Sequence, residues 1–178
     1  MSENKNVVVI YRSKTGFTKN YANWLAEELQ CDVFEAGKIK VPDLSRYETI
    51  IYGGGMYHIG INGIKLITRN FDMLKSKNII VYAVGATPVR EETAEQIRKA
   101  NIPAELLDHI QLFYLRGGFD YNRLSPFYKF LMILLKIKLK HTKNPDADQK
   151  GMLAAYTHPL DFTNKKYIRP IVDIVRAC

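Results

Sequence analysis

The stretch VVVIYRSKTGFTKNYANWLAEEL, residues 7–29, runs from a continuous apolar segment into a short hydroxyl-rich turn and then into an amphipathic pattern. Unbroken hydrophobicity implies a strand buried on both faces, the habit of parallel sheets. After the turn, Tyr21, Ala22, Leu25, Ala26 and Leu29 fall at helical spacing and predict a helix with one buried face. A strand that empties into such a turn at a helix start offers an anion site. Ser13, Thr15 and Thr18 supply hydroxyls, Gly16 lets the backbone bend closely, and the first helical amides point outward, so the turn forms a nest for a phosphate. Lys14 and Lys19 add positive charge without being required, because the helix dipole already favours an anion. The competing reading is a helix merely well capped by Thr15 or Thr18. Neither GxxxxGK[ST] nor GxGxxG follows this strand, which excludes a P-loop and a dinucleotide fingerprint.

Outward from this unit, short β-branched runs recur at 32–36, 49–55, 78–85 and 110–118, with helical patterns at about 62–74, 90–101 and 163–177. Alternation of this kind predicts an α/β domain with a doubly wound, five-stranded parallel sheet, in which the first, third and fourth strands are central. A chain of 178 residues reads as one domain, 1–178, since a core of that size buries roughly 70% of the unfolded surface. Residues 141–151 form the most loop-like segment and lie inside the domain.

Hydrophobic residues at 47% and charged residues at 25% are ordinary for a globular chain. The polar opening MSENKN leads straight into a strand, which predicts a cytoplasmic protein. Cys31 and Cys178, and His58, His109, His141 and His158, are too scattered for a disulfide framework or a metal site, so no metal is expected. The net charge of +8 favours anionic partners, a membrane surface or an acidic redox protein or substrate, with simple solubility the bland alternative. Nucleic acid is not expected, because no basic stripe interleaved with aromatics and no reading module is evident.

The motif SKTGFT directly after a first strand resembles the T/S-x-T-G-x-T phosphate loop of flavodoxins, and nearly the whole chain fits that family's order of elements. The resemblance implies FMN as cofactor, strand order 2-1-3-4-5, and a site at the carboxyl ends of the strands. It implies that Ser13, Thr15, Gly16, Phe17 and Thr18 hold the phosphate, with Lys14 a further cofactor-binding candidate. The loop GGGMYHIG, residues 53–60, would then line the isoalloxazine. There Gly54, Gly55, Met56, Tyr57 and His58 are candidates, with Tyr57, or in its place His58, for stacking and a peptide able to turn its carbonyl or its N–H toward the ring. The glycines also suit a plain tight turn. Gly85, Ala86 and Thr87 in VGATPVREE would meet the pyrimidine edge, while the flanking aromatic usual in many flavodoxins is missing there.

Residues 127–141 predict a helix with Lys129, Lys136 and Lys140 in a narrow strip and apolar residues around most of the rest. Fifteen residues are too few to span a bilayer, which needs about 20. A helix at the membrane interface, with peripheral contact through 126–141 at the inner face, stands beside internal packing or a dimer contact. The stretch GGFDYNRLSPFYKFLMILLKIK is similar in pattern to the insertion in bacterial menaquinone-dependent protoporphyrinogen oxidases, which carry a flavodoxin-like fold. That resemblance implies a helical insertion after or within the fifth strand, shaping the face where a porphyrinogen or quinone meets the flavin.

The expected function is electron transfer through bound FMN, by a quinone-linked protoporphyrinogen dehydrogenase or by a soluble carrier docking with a redox partner protein. No side chain is nominated as catalytic acid or base; Tyr57, His58 and Arg90 lie in loops near the expected ring edge.

Overall fold

A computed structural model describes residues 6–88, 91–124, 126–141 and 159–177. Arg90, the segment 142–151, His158 and Cys178 lie outside the described residues, as do the side chains of Tyr128, Leu135, Lys138, Leu139 and Lys140. The long strands are β1 (Val7–Arg12), β2 (Asp32–Glu35), β3 (Thr49–Tyr57), β5 (Asn78–Gly85) and β6 (Ile110–Arg116), and the short β4 (Gly60–Ile61) folds back on β3. They pair in the order β2-β1-β3-β5-β6, all four junctions parallel. Counted over the long strands alone this is 2-1-3-4-5, the order expected.

Alternation along β1 explains its unbroken hydrophobicity. Val8 and Ile10 pack into one core with Ile50, Tyr52, Val81 and Ile97, whereas Val7 and Val9 pack into the other with Leu25, Ile51, Ile80 and Val172. Helix α1 (Phe17–Leu29) buries Tyr21, Ala22, Leu25 and Leu29 against that second face. Beside it lies α6 (Arg169–Ala177), which buries Ile171, Val172 and Val175. On the opposite face sits α4 (Glu91–Asn101), opened by Glu91 and Glu92 at the positive end of its dipole.

Two expectations change. The helix predicted at 62–74 is two short pieces, α2 (Lys65–Thr68) and α3 (Phe71–Leu74). Gly63, at φ 77°, delays the start, and Asn70 donates its side-chain N–H to the Leu66 carbonyl at 2.9 Å, stopping the first piece. The final helical segment begins as a 3-10 turn over Lys165–Ile168, and Pro170 falls in the first turn of α6, where its missing N–H costs nothing.

The insertion follows β6. Strand β7 (Gly118–Phe119) pairs antiparallel with β8 (Leu160–Asp161), and Phe162 N–H donates to the Gly117 carbonyl at 2.9 Å. Between these strands the chain makes a 3-10 turn, Tyr121–Arg123, and helix α5 (Pro126–Lys140).

Candidate functional site

The turn after β1 closes on itself, with the Gly16 N–H donating to Ser13 Oγ at 3.1 Å. Gly16 caps α1 at φ 98°, a conformation in which a β-carbon is strained. The cap is therefore neither Thr15 nor Thr18, and Gly16 has no side chain with which to take the helix-start amides. Asn20 N–H makes the first helical bond, to Gly16 O at 3.0 Å, so the amides of Phe17, Thr18 and Lys19 precede the helix's own ladder. The Phe17 side chain is buried, its ring turned inward against Gly118.

At the end of β3 the strand runs two residues further than expected and returns as a hairpin, with Met56 opposite Ile61 and Tyr57 opposite Gly60. His58 makes the reversal at φ 57°. Asn101 at the end of α4 pins this hairpin: its Oδ1 accepts from Ile61 N–H and its Nδ2 donates to Ile59 O, both at 2.7 Å. The three glycines divide by what they face. A β-carbon on Gly53 would fall in the Tyr82 ring and one on Gly54 would strike Ile61, whereas Gly55 looks onto Thr18 Oγ1. Gly54 is thus a packing glycine, not a wall of the site.

At the end of β5, Tyr114 donates its hydroxyl to Thr87 O at 3.0 Å and holds the Gly85–Thr87 turn. Burial raises that phenol above its ordinary range.

These three strand ends enclose a cavity of about 830 Å³. Lys14, Thr15, Phe17 and Thr18 line it from the first turn, Gly55, Met56, Tyr57 and His58 from the hairpin, and Gly85, Ala86 and Thr87 from the third. Ser13, Gly16 and Gly54 do not. Thr93, Gln96 and Ile97 of α4 close one side, and Asp120, Leu124, Phe127, Leu131 and Met132 of the insertion close another. A second, more open groove of about 980 Å³ lies on the other side of Tyr57, lined by Arg12, Lys65, Arg69 and Glu35 among others. Lys14 and Tyr57 border both spaces, with Lys14 Nζ 4.5 Å from the Tyr57 ring centroid.

Sequence reasoning missed Asn101, Asp120 and Arg123. Arg123 donates from Nη1 to Thr15 O at 3.0 Å, and its Nε lies 3.1 Å from Asp120 Oδ2. Asp120 in turn accepts the Asn122 N–H at Oδ1, capping the 3-10 turn. An Asp two residues before Asn122 and three before Arg123 is a turn signal that was legible; its partner, a carbonyl 108 positions earlier, was not. Among the described residues no His, Cys, Asp and Glu cluster could hold a metal.

The donor set fits a ligand with a dianionic tail and a flat apolar body. The helix-start turn with its threonine hydroxyls, glycine backbone and Tyr57 share one lining, and the volume falls within the range of small-molecule sites. The flavodoxin domain model matches residues 8–147.

The chain belongs to the flavodoxin domain family. Membership implies a flavin as cofactor. Among solved structures, this flavodoxin-like chain is similar to a WrbA-like flavodoxin from Agrobacterium tumefaciens, at 16% identity and TM-score 0.42 over 62% of this chain and 83% of that one. It is also similar to the Trp repressor binding protein from Bacillus subtilis, at 16% identity and TM-score 0.46 over the same shares. The rubredoxin:oxygen oxidoreductase of Desulfovibrio gigas covers 97% of this chain with 37% of its own, at 12% identity and TM-score 0.44. No curated protein matches.

Proposed function

We propose that this flavodoxin-domain chain binds FMN in the cavity at the strand ends and passes electrons through it. The observation that carries this reading is the convergence of the helix-start turn, the Tyr57 hairpin and the Gly85–Thr87 turn on one space. When bound, FMN supplies reversible electron uptake, while the protein binds and orients it. Thr15, Thr18 and the α1 amides take the phosphate, and Tyr57 lies along the ring. Titration of the purified protein with FMN, followed by visible absorption and fluorescence quenching, tests this directly. A colourless protein that leaves FMN fluorescence unchanged ends the proposal.

Between enzyme and carrier, the apolar wall contributed by Phe127, Leu131 and Met132 favours a substrate with apolar surface at the flavin. A quinone-linked protoporphyrinogen dehydrogenase is the specific form proposed, and an anaerobic assay with protoporphyrinogen and a menaquinone analogue tests it. A flavin spectrum without porphyrin formation puts the carrier reading ahead, with an acidic redox partner seated at the basic groove beside Tyr57. Peripheral membrane contact is part of the proposal. Phe130, Ile133, Leu134 and Ile137 form an exposed stripe at i, i+3, i+4 and i+7 of α5, outside the cavity lining, with Lys129 and Lys136 on the same helix. No helix among the described residues is long and apolar enough to cross a membrane.

A further inference from the structure

We propose that Arg123 is an arginine clamp on the cofactor's phosphate, so that the insertion after β6 takes part in binding FMN; this rests on the FMN reading above. The guanidinium is held from two sides, by Asp120 at Nε and by the Thr15 carbonyl at Nη1, and Nη1 lies 2.9 Å from where a β-carbon on Gly16 would stand. It therefore overhangs the turn that caps α1.

Electrostatics says why that position is informative. The start of α1 carries about half a positive charge, and Lys14 stands in the same turn. A guanidinium brought to this place is repelled unless an anion sits among the three. Asp120 offsets part of the repulsion, but the Arg123 side chain is 60% exposed, and an ion pair that open to water adds little by itself. Among the described residues, the arginine sets against that repulsion this exposed pair and the Thr15 carbonyl bond. A phosphate dianion changes the balance, because it meets the planar fork with charge-assisted hydrogen bonds while Nε stays on Asp120. Asp120 is a positioning residue: it is buried and fixed by the Asn122 N–H, so it sets the plane of the fork.

The test compares FMN with riboflavin, which lacks the phosphate, by fluorescence quenching of the full chain. In Arg123→Ala the FMN dissociation constant is expected to rise about 10- to 100-fold, the range of a charge-assisted hydrogen bond. The riboflavin constant should stay within about twofold. Arg123→Lys recovers only part, since an ammonium lacks the fork. The double variant Arg123→Ala, Asp120→Asn binds FMN more tightly than Arg123→Ala, because it removes a carboxylate left unpaired beside the dianion and keeps the turn cap. FMN should also slow amide hydrogen exchange at residues 120–124, and riboflavin should not. Equal losses for both flavins would reveal a role in folding only, and unchanged FMN binding in Arg123→Ala would remove the clamp while the FMN reading stood. A wild-type chain that binds no FMN removes both.

Discussion

Gly53, Gly54 and Gly55 look alike in the sequence, and the expectation that this loop lies along a flat ring treated them as one feature. Their environments differ. Gly53 leaves room for the Tyr82 ring, which is wholly buried and donates to Thr18 O at 3.3 Å. Gly53→Ala drives a methyl into that ring and is expected to destabilise the fold by about 1–3 kcal/mol, the usual cost of overpacking a core. A urea unfolding midpoint equal to wild type rules out this packing role. Gly55, beside Thr18 and the cavity, tolerates a methyl better, because its nearest neighbour lies 3.3 Å away. A glycine tells the reader that space is short, but not whether a ligand or a neighbouring side chain fills it, so the triplet was legible as a constraint and illegible as a role.

At the level of elements, the long strands and α1 were legible because burial on two faces or one leaves a period in the sequence. The hydroxyl-rich turn at the start of α1 was legible as a turn because its chemistry is local. The hairpin at Met56–Ile61 was not, since its stitching comes from Asn101 on a distant helix, and the insertion's reach to the first turn through Arg123 depends on a contact between remote segments. Helix α5 was read as apolar over most of its circumference, and the structure divides that surface: Phe127, Leu131 and Met132 line the cavity, while Phe130, Ile133, Leu134 and Ile137 are exposed and outside its lining. The outer stripe can therefore be altered without touching the cavity wall. The double variant Ile133→Asp, Ile137→Asp is expected to lose anionic-liposome co-sedimentation by more than tenfold, since each large apolar side chain contributes roughly 1.5–3 kcal/mol on full burial. It should leave FMN affinity unchanged. Pelleting equal to wild type, or none in either protein, retires the membrane contact.

For the whole molecule, burial couples stability to alkaline pH. Burial raises Tyr21 and Cys31 to about 12, the second helped by the neighbouring Asp32 carboxylate. The phenols of Tyr52 and Tyr82 are likewise raised, chiefly by burial. Each of these acids is held neutral when folded and ionises more easily when unfolded. Their contribution is thus fully present below the ordinary thiol and phenol values, near 8.5 and 10, and is lost as pH rises through the folded ones. The urea midpoint should hold steady in this respect up to about pH 8.5 and then fall with a steepening slope toward pH 11, each group adding at most about 1.4 kcal/mol per pH unit. A midpoint that does not move between pH 9 and 11 contradicts the assignment.

The small ribbon of Gly118–Phe119 against Leu160–Asp161 has an architectural consequence of its own. It brings the two ends of the excursion side by side like the mouth of a purse, so the parallel sheet beneath never senses how much chain hangs beyond. Lengthening or trimming the excursion between residues 141 and 159 changes the entropy of one closed loop, which grows only with the logarithm of its length. Scaffold and appendage are thus fastened at two places, this ribbon and the bond from Arg123 to the Thr15 carbonyl.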